Sequence, residues 1–262
     1  MSSSFFILIC ITRTVLLNKY MEFKLPTETI ELPSKGLVYP EGHPLAEGTI
    51  ELKYMTAKEE DILTNTALIQ NGTVLDKLLE SLIITKVNFS DLLIGDKNAI
   101  LVAARILGYG KDYTFKYLGQ DYTVDLSLLE PKPLDESLYT RGQNEFEFIL
   151  PSTGTRLTFK LLTHGDELKI SQEIESLKKL NKLSSPDLST RLKHMILSVE
   201  GSYEKKDIRE FVDNYFLARD SKAFREHIRN LQPDLDLTFF PERTEIKVDI
   251  PIGIGFFWPE LR

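Results

Sequence analysis

The stretch "LPSTGTRLTFKLLTHGDELKI", Leu150–Ile170, opens with a pentamer that fits the L-P-x-T-G signal cut by cell-wall sortases. A sorting signal is followed by a membrane-spanning apolar run and a basic tail. Here the residues after Gly154 alternate in polarity and then turn charged, and the chain runs on well beyond them. The pentamer has a better explanation upstream, where "LPSKG" stands at Leu32–Gly36.

The likeness continues past the pentamer. "LKYMTAKEEDIL" (Leu52–Leu63) lies over "FKLLTHGDELKI" (Phe159–Ile170) without gaps, sharing Lys53/Lys160, Thr56/Thr163 and Glu60/Glu167. "YTFKYLGQDYTVDL" (Tyr113–Leu126) lies over "LTFFPERTEIKVDI" (Leu237–Ile250), with Thr-Phe and Val-Asp recurring. From Leu32 to Leu150, Leu52 to Phe159 and Tyr113 to Leu237 the offsets are 118, 107 and 124 residues. Three matches in one order at similar offsets point to a duplicated domain-sized unit rather than a solenoid.

Each half has one grammar. A Pro-Ser-x-Gly turn starts a strand whose side chains alternate with period two. The strand ends at a threonine followed three residues later by an acid, Thr56 with Glu59 and Thr163 with Asp166. That is a capping box or its Asp variant: the hydroxyl meets a free N–H of the first turn and the acid reaches back. Helices follow. Val74, Leu75, Leu78, Leu79, Leu82 and Ile83 mark one apolar face, and Asp96 is placed to cap "KNAILVAARIL" up to Gly108 and Gly110. In the second half, Ile174 and Leu177 mark a helix and "SSPDLSTRLKHMILSV" reads as a second, running through Val199. Two more, "DIREFVDNYFLA" and "DSKAFREHIRNL", join at Asp220-Ser221. A hairpin closes each half, with Gly119 in the first turn. The expected fold is α+β, two duplicated lobes that each carry a small antiparallel sheet and a helical cluster. The first lobe is 21–127, the linker 128–144 and the second lobe 145–262. Residues 1–20 lack the basic start and cleavage site of a secretory signal and read as an upstream extension of a chain that starts at Met21.

The totals narrow the function. The 262 residues carry a net charge of −7 and no long Lys/Arg run, which argues against a general nucleic-acid binder. Cys10 is the one cysteine, so neither an intrachain disulfide nor a thiolate metal site is expected, at the hairpin turns or elsewhere. His43, His164, His194 and His227 are scattered, none at metal-ligand spacing. Neither a Gly-x-Ser-x-Gly pentamer nor a Gly-x-x-x-x-Gly-Lys-[Ser/Thr] loop occurs, and "GYGKDYT" (Gly108–Thr114) follows a helix, the reverse of a phosphate-binding order. The acids of "KEED" (Lys58–Asp61) are expected to face solvent on a first helical turn, and His164, where the first lobe has Ala57, to be surface variation. His194 and His227 stand on amphipathic helices and read as edge or surface residues rather than ligands. No catalytic, cofactor or metal site is therefore expected. The candidate partner interface is the tail "IPIGIGFFWPELR", where Phe256, Phe257 and Trp258 stand consecutively and cannot all face one core from a strand.

"ELPSKGLVYPEGHPLAEGTIELKYMTAKEEDIL" (Glu31–Leu63), "GTVLDKLLESLI" (Gly72–Ile83), "LLIGDKNAILVAARILGYGKDYTF" (Leu92–Phe115) and "VDIPIGIGFFWPE" (Val248–Glu260) resemble baseplate hub and hub-assembly proteins of T-even-type contractile-tail bacteriophages. The resemblance covers nearly everything from Met21 or Leu25 onward and carries no catalytic motif. It implies a non-enzymatic protein of the infected bacterial cytoplasm, or of the virion baseplate, that contacts other tail proteins as hub subunit or assembly chaperone. No nucleic acid, membrane or cofactor partner is expected. Two similar lobes could bridge two copies of a partner. The alternative is a small tail-associated hydrolase using carboxylates such as Glu59 or Asp96.

Overall fold

The computed structural model describes residues 25–180, 186–241 and 247–257. The 1–20 segment and Trp258 lie outside the described residues. The fold is α+β, with helices around four small antiparallel sheets among the described residues.

In the first half, β1 (Thr27–Glu31) pairs with β2 (Thr49–Lys53). Short helices α1 (Ala57–Leu63), α2 (Thr66–Gln70) and α3 (Val74–Leu82) follow. The long α4 (Ile94–Tyr109) then leads into the hairpin of β3 (Asp112–Tyr117) and β4 (Gln120–Asp125). In the second half, β5 (Phe146–Ile149) pairs with β6 (Arg156–Phe159), then come α5 (His164–Leu180) and α6 (Asp187–Met195). Strand β7 (Ile196–Val199) adds to β6, α7 (Lys205–Asn214) and α8 (Ala218–Leu231) follow, and β8 (Thr238–Phe239) pairs with β9 (Val248–Asp249). A short helix α9 (Ile254–Phe257) ends the described chain.

The halves repeat one order: antiparallel pair, helix, return to the pair, long helix, hairpin. The return is a single bridge in the first half, Ile83 to Leu52, and the strand β7 in the second, where Ile196 pairs with Phe159. This corrects the helix expected through Val199. Ile196-Leu197-Ser198-Val199 leaves the helix because its alternate residues Ile196 and Ser198 are buried beside β6, where the Ser198 hydroxyl bonds Thr158 at 2.8 Å. The break between α7 and α8 also falls earlier than Asp220-Ser221. Tyr215 and Phe216 both donate to the Phe211 carbonyl, closing α7, and an extended Leu217 starts α8.

The two halves share one core. Leu52, Leu79, Ile100 and Phe115 from the first join Leu157, Phe159, Phe224 and Phe256 from the second in a single buried cluster. Phe115 and Phe239, matched in the repeat, touch edge to face at 4.9 Å. Leu93 bridges Thr163. The segment 128–144 is fixed at both ends: the Lys132 N–H donates to Asp234 at 2.8 Å and the Gly142 N–H to Leu37 at 2.7 Å. It covers the first Pro-Ser-x-Gly turn, whose Leu32 and Ser34 are buried, whereas Pro151–Gly154 is exposed. The two lobes therefore do not present matching surfaces at this turn.

Candidate functional site

The repeated pentamers end in matched polar clamps. The Ser34 N–H and hydroxyl donate to Asp96 at 3.0 and 2.7 Å, and the Tyr39 hydroxyl adds a third bond at 2.7 Å. In the second half the Ser152 N–H and Thr153 hydroxyl donate to Asp220 at 2.8 and 3.1 Å. Asp96 and Asp220 are each the third residue of their helix, so the helical turn that begins α4 or α8 aims a carboxylate at the turn of its own half. Asp96 thus sits inside the first turn of α4 rather than capping it; extended Leu93 holds the cap position. The same role carries different electrostatics. Burial pushes the Asp96 carboxyl above its ordinary range, only partly offset by Tyr39 and Ser34. For Asp220 burial acts in the same direction, but the bonds from Ser152 and Thr153 prevail and hold it below.

A second matched cluster stands at the capping boxes. Glu59 accepts from Lys53 at 2.8 Å, from the Ser81 hydroxyl at 2.8 Å, and from the Thr56 N–H and hydroxyl at 3.0 and 2.6 Å. Asp166 accepts from Lys160 at 2.7 Å and from the Thr163 N–H and hydroxyl at 3.2 and 3.1 Å. The lysine at the end of the strand reaches the acid of the helix six residues on. Glu59 is fully buried, which corrects its expected place in solvent; Lys58, Glu60 and Asp61 do face outward. A wet acid at this position would leave the Lys53 ammonium and the cap N–H without their acceptor, so packing draws Glu59 in. Burial raises the Glu59 pKa, but Lys53, Thr56 and Ser81 overcome it and hold the group at about 2.

His164 is buried too, not surface variation. Its Nδ1 stands 3.1 Å from Lys97 Nζ, its Nε2 3.5 Å from Asp76, and Phe89 meets its ring edge-on at 4.6 Å. Asp76 and Lys97 themselves pair at 2.5 Å. All three partners come from the first half, so the histidine seals the seam between halves. Ala57, its repeat partner, has no such seam to fill. Burial and Lys97 lower its pKa, against Asp76, Glu80 and Glu167. His194 bonds Glu173 at 2.9 Å and His227 stacks on Phe148 at 4.6 Å, both half-buried as expected of edge positions. Among the described residues no group of three or more His, Cys, Asp or Glu side chains could hold a metal ion.

Two of the three tail aromatics are inside. Phe256 and Phe257 are 0% and 1% exposed, on a helical turn rather than a strand, so consecutive rings can both face inward. Phe256 packs on Tyr113 at 4.8 Å, and its carbonyl accepts from buried Arg105 Nε at 2.8 Å. The other guanidinium nitrogens donate to the carbonyls of Gly110 at 2.8 Å and Asp112 at 3.2 Å. Arg105 thus joins the end of α4, the start of β3 and the C-terminal segment with one planar fork. In this arrangement Phe256 and Phe257 are packing residues of the first half rather than exposed anchors.

Arg105 and Asp220 carry weight that sequence reasoning missed. Asp220 was within reach, because it stands 124 residues after Asp96, the offset of the closing hairpins. Arg105 gave no signal, because its acceptors are main-chain carbonyls. Chemically, these clusters join turns, caps and chain ends to one another through groups already bonded. No protein-family model, curated protein or solved structure matches the chain.

Proposed function

We infer that this chain acts in phage baseplate-hub assembly through protein–protein contacts, without catalysis, as a retained hub subunit or a departing chaperone. The observation that carries the reading is where the family-like strings go. Ser34 of the first string is clamped by Asp96 of the third, and Glu59 of the first is bonded by Ser81 of the second. Arg105 of the third string holds Phe256 of the last. The strings that resemble hub proteins are thus those that fit one another, as expected of a protein whose useful property is its shape. Glu59 and Asp96, the acids a hydrolase would draw on, have four and three donors respectively. The place of action is the bacterial cytoplasm during assembly, and the virion if the chain is retained. Among the described residues no helix is long and apolar enough to cross a membrane.

The test is deletion of the gene from the phage that encodes it, followed by electron microscopy of the particles. Tails lacking complete baseplates, restored by the chain in trans, are expected. Normal tails, or cell-wall hydrolysis by the purified protein that Glu59→Gln abolishes, would overturn the reading.

A further inference from the structure

The second half carries a cleft. It lies between α5, the junction of α6 with β7, and α7, with a volume of about 420 Å³. Buried Ile196 and Ile208, with half-buried Leu197, line its floor. Lysines and an arginine from three elements stand around it: Lys169 on α5, Lys193 on α6, and Lys205 and Arg209 on α7.

We propose that this cleft is a docking groove for an acidic peptide segment of a partner protein, one with apolar side chains among its acids. Charge is the first argument. Lys160 at the edge is held by Asp166 at 2.7 Å and Lys193 by Asp213 at 2.6 Å, while Arg209 shares Glu173 with His194 at 3.6 Å. Lys169 and Lys205 are exposed and have no acidic partner among the described residues. Unpaired positive charge thus stands at this cleft on a chain of net charge −7. The folded chain assembles it from residues far apart in sequence, which is why no basic run announces it.

The second argument is asymmetry. The repeat places Ile62 of α1 where α5 has Lys169. The first half has no counterpart of α7; its corresponding connection holds the single helical turn Phe89–Asp91. The α7 wall therefore has no counterpart in the first half, and the α5 wall carries a lysine where the first half has an isoleucine.

The occupant follows from the mixture. A lysine joins an apolar stem to a charged head, so acids of the ligand meet the lysines while its apolar side chains reach Ile196, Leu197 and Ile208. Nucleic acid fits less well. Its bases would need stacking platforms, and Tyr203 is the one Phe, Tyr or Trp side chain in the lining. The inference concerns the chemistry of one surface, and it stands or falls separately from any role in a phage tail.

Fluorescence anisotropy with the full chain tests it. The probe is a labelled peptide of about ten residues, enough to span the cleft at ~3.3 Å per residue, alternating glutamate with leucine. The controls are its glutamine counterpart and an oligothymidylate. Saturable binding of the acidic peptide is expected, weakening as salt rises. Lys169→Glu with Lys205→Glu should weaken it about tenfold, while Lys58→Glu with Lys222→Glu, the same charge change elsewhere, should leave it intact. Circular dichroism checks that both variants fold. No saturable binding, equal loss in both variants, equal binding of the glutamine peptide, or tighter binding of the oligonucleotide would each overturn the proposal.

Discussion

Burial raises the pKa of both Glu59 and Asp96, yet their hydrogen-bond partners leave the two acids shifted in opposite directions. Glu59, held at about 2 by Lys53, Thr56 and Ser81, contributes stability that is complete above its unfolded value of 4.5 and is lost as pH falls towards 2. Urea unfolding of the native protein and Glu59→Gln should therefore differ by ~2 kcal/mol near pH 6, and the gap should narrow below pH ~4.5. Asp96 has the opposite sign. Its raised pKa means that stability is gained, not lost, as pH falls through the folded value towards 3.8. His164 adds a third dependence. Its lowered pKa makes the unfolded state bind the extra proton first, so stability is full above 6.5 and declines as pH falls below it. Thermal unfolding between pH 7.5 and 5.5, repeated with His164→Gln, should show that slope reduced, with the remainder assigned to His227, whose pKa burial also lowers. The capping-box pairs were legible from spacing alone. Their burial was not, because it depends on Ser81 and Lys53 converging from other elements.

At the scale of elements, hydrophobic period and turn residues located most helices and both closing hairpins. They misplaced those boundaries that tertiary pairing decides, such as the exit from α6 into β7. The turn between β3 and β4 is a two-residue loop in which Leu118 and Gly119 both have positive φ, 48° and 82°. That conformation suits Asn-Gly, and leucine, 86% exposed here, tolerates it poorly. Leu118→Asn should raise stability by ~0.5–1 kcal/mol, read as a higher urea midpoint with unchanged slope. A Cβ on Gly95 would come 1.8 Å from the Pro233 carbonyl oxygen, a backbone atom that cannot simply turn aside. Gly95→Ala should destabilise by ~2 kcal/mol or more, although alanine favours a helix elsewhere.

Across the whole molecule the sequence showed the repeat but not how its copies meet. Apart from the matched pair Phe115 and Phe239, the seam's polar contacts use unmatched residues, His164 against Asp76 and Lys97 and Arg105 against Phe256, so comparing the halves could not reveal them. The tail reading changes for the same reason. Phe256→Ala should cost ~3–5 kcal/mol of stability as a core truncation, measured by denaturant unfolding, rather than spare the fold and remove a partner. The proposed role in hub assembly is most directly tested by gradient sedimentation of infected-cell lysate, with peptide mass spectrometry across the fractions and on purified virions. The account predicts that this chain travels with baseplate intermediates, whether or not it persists in virions. A chain that sediments only as a free monomer throughout infection, and is missing from virions, would contradict it.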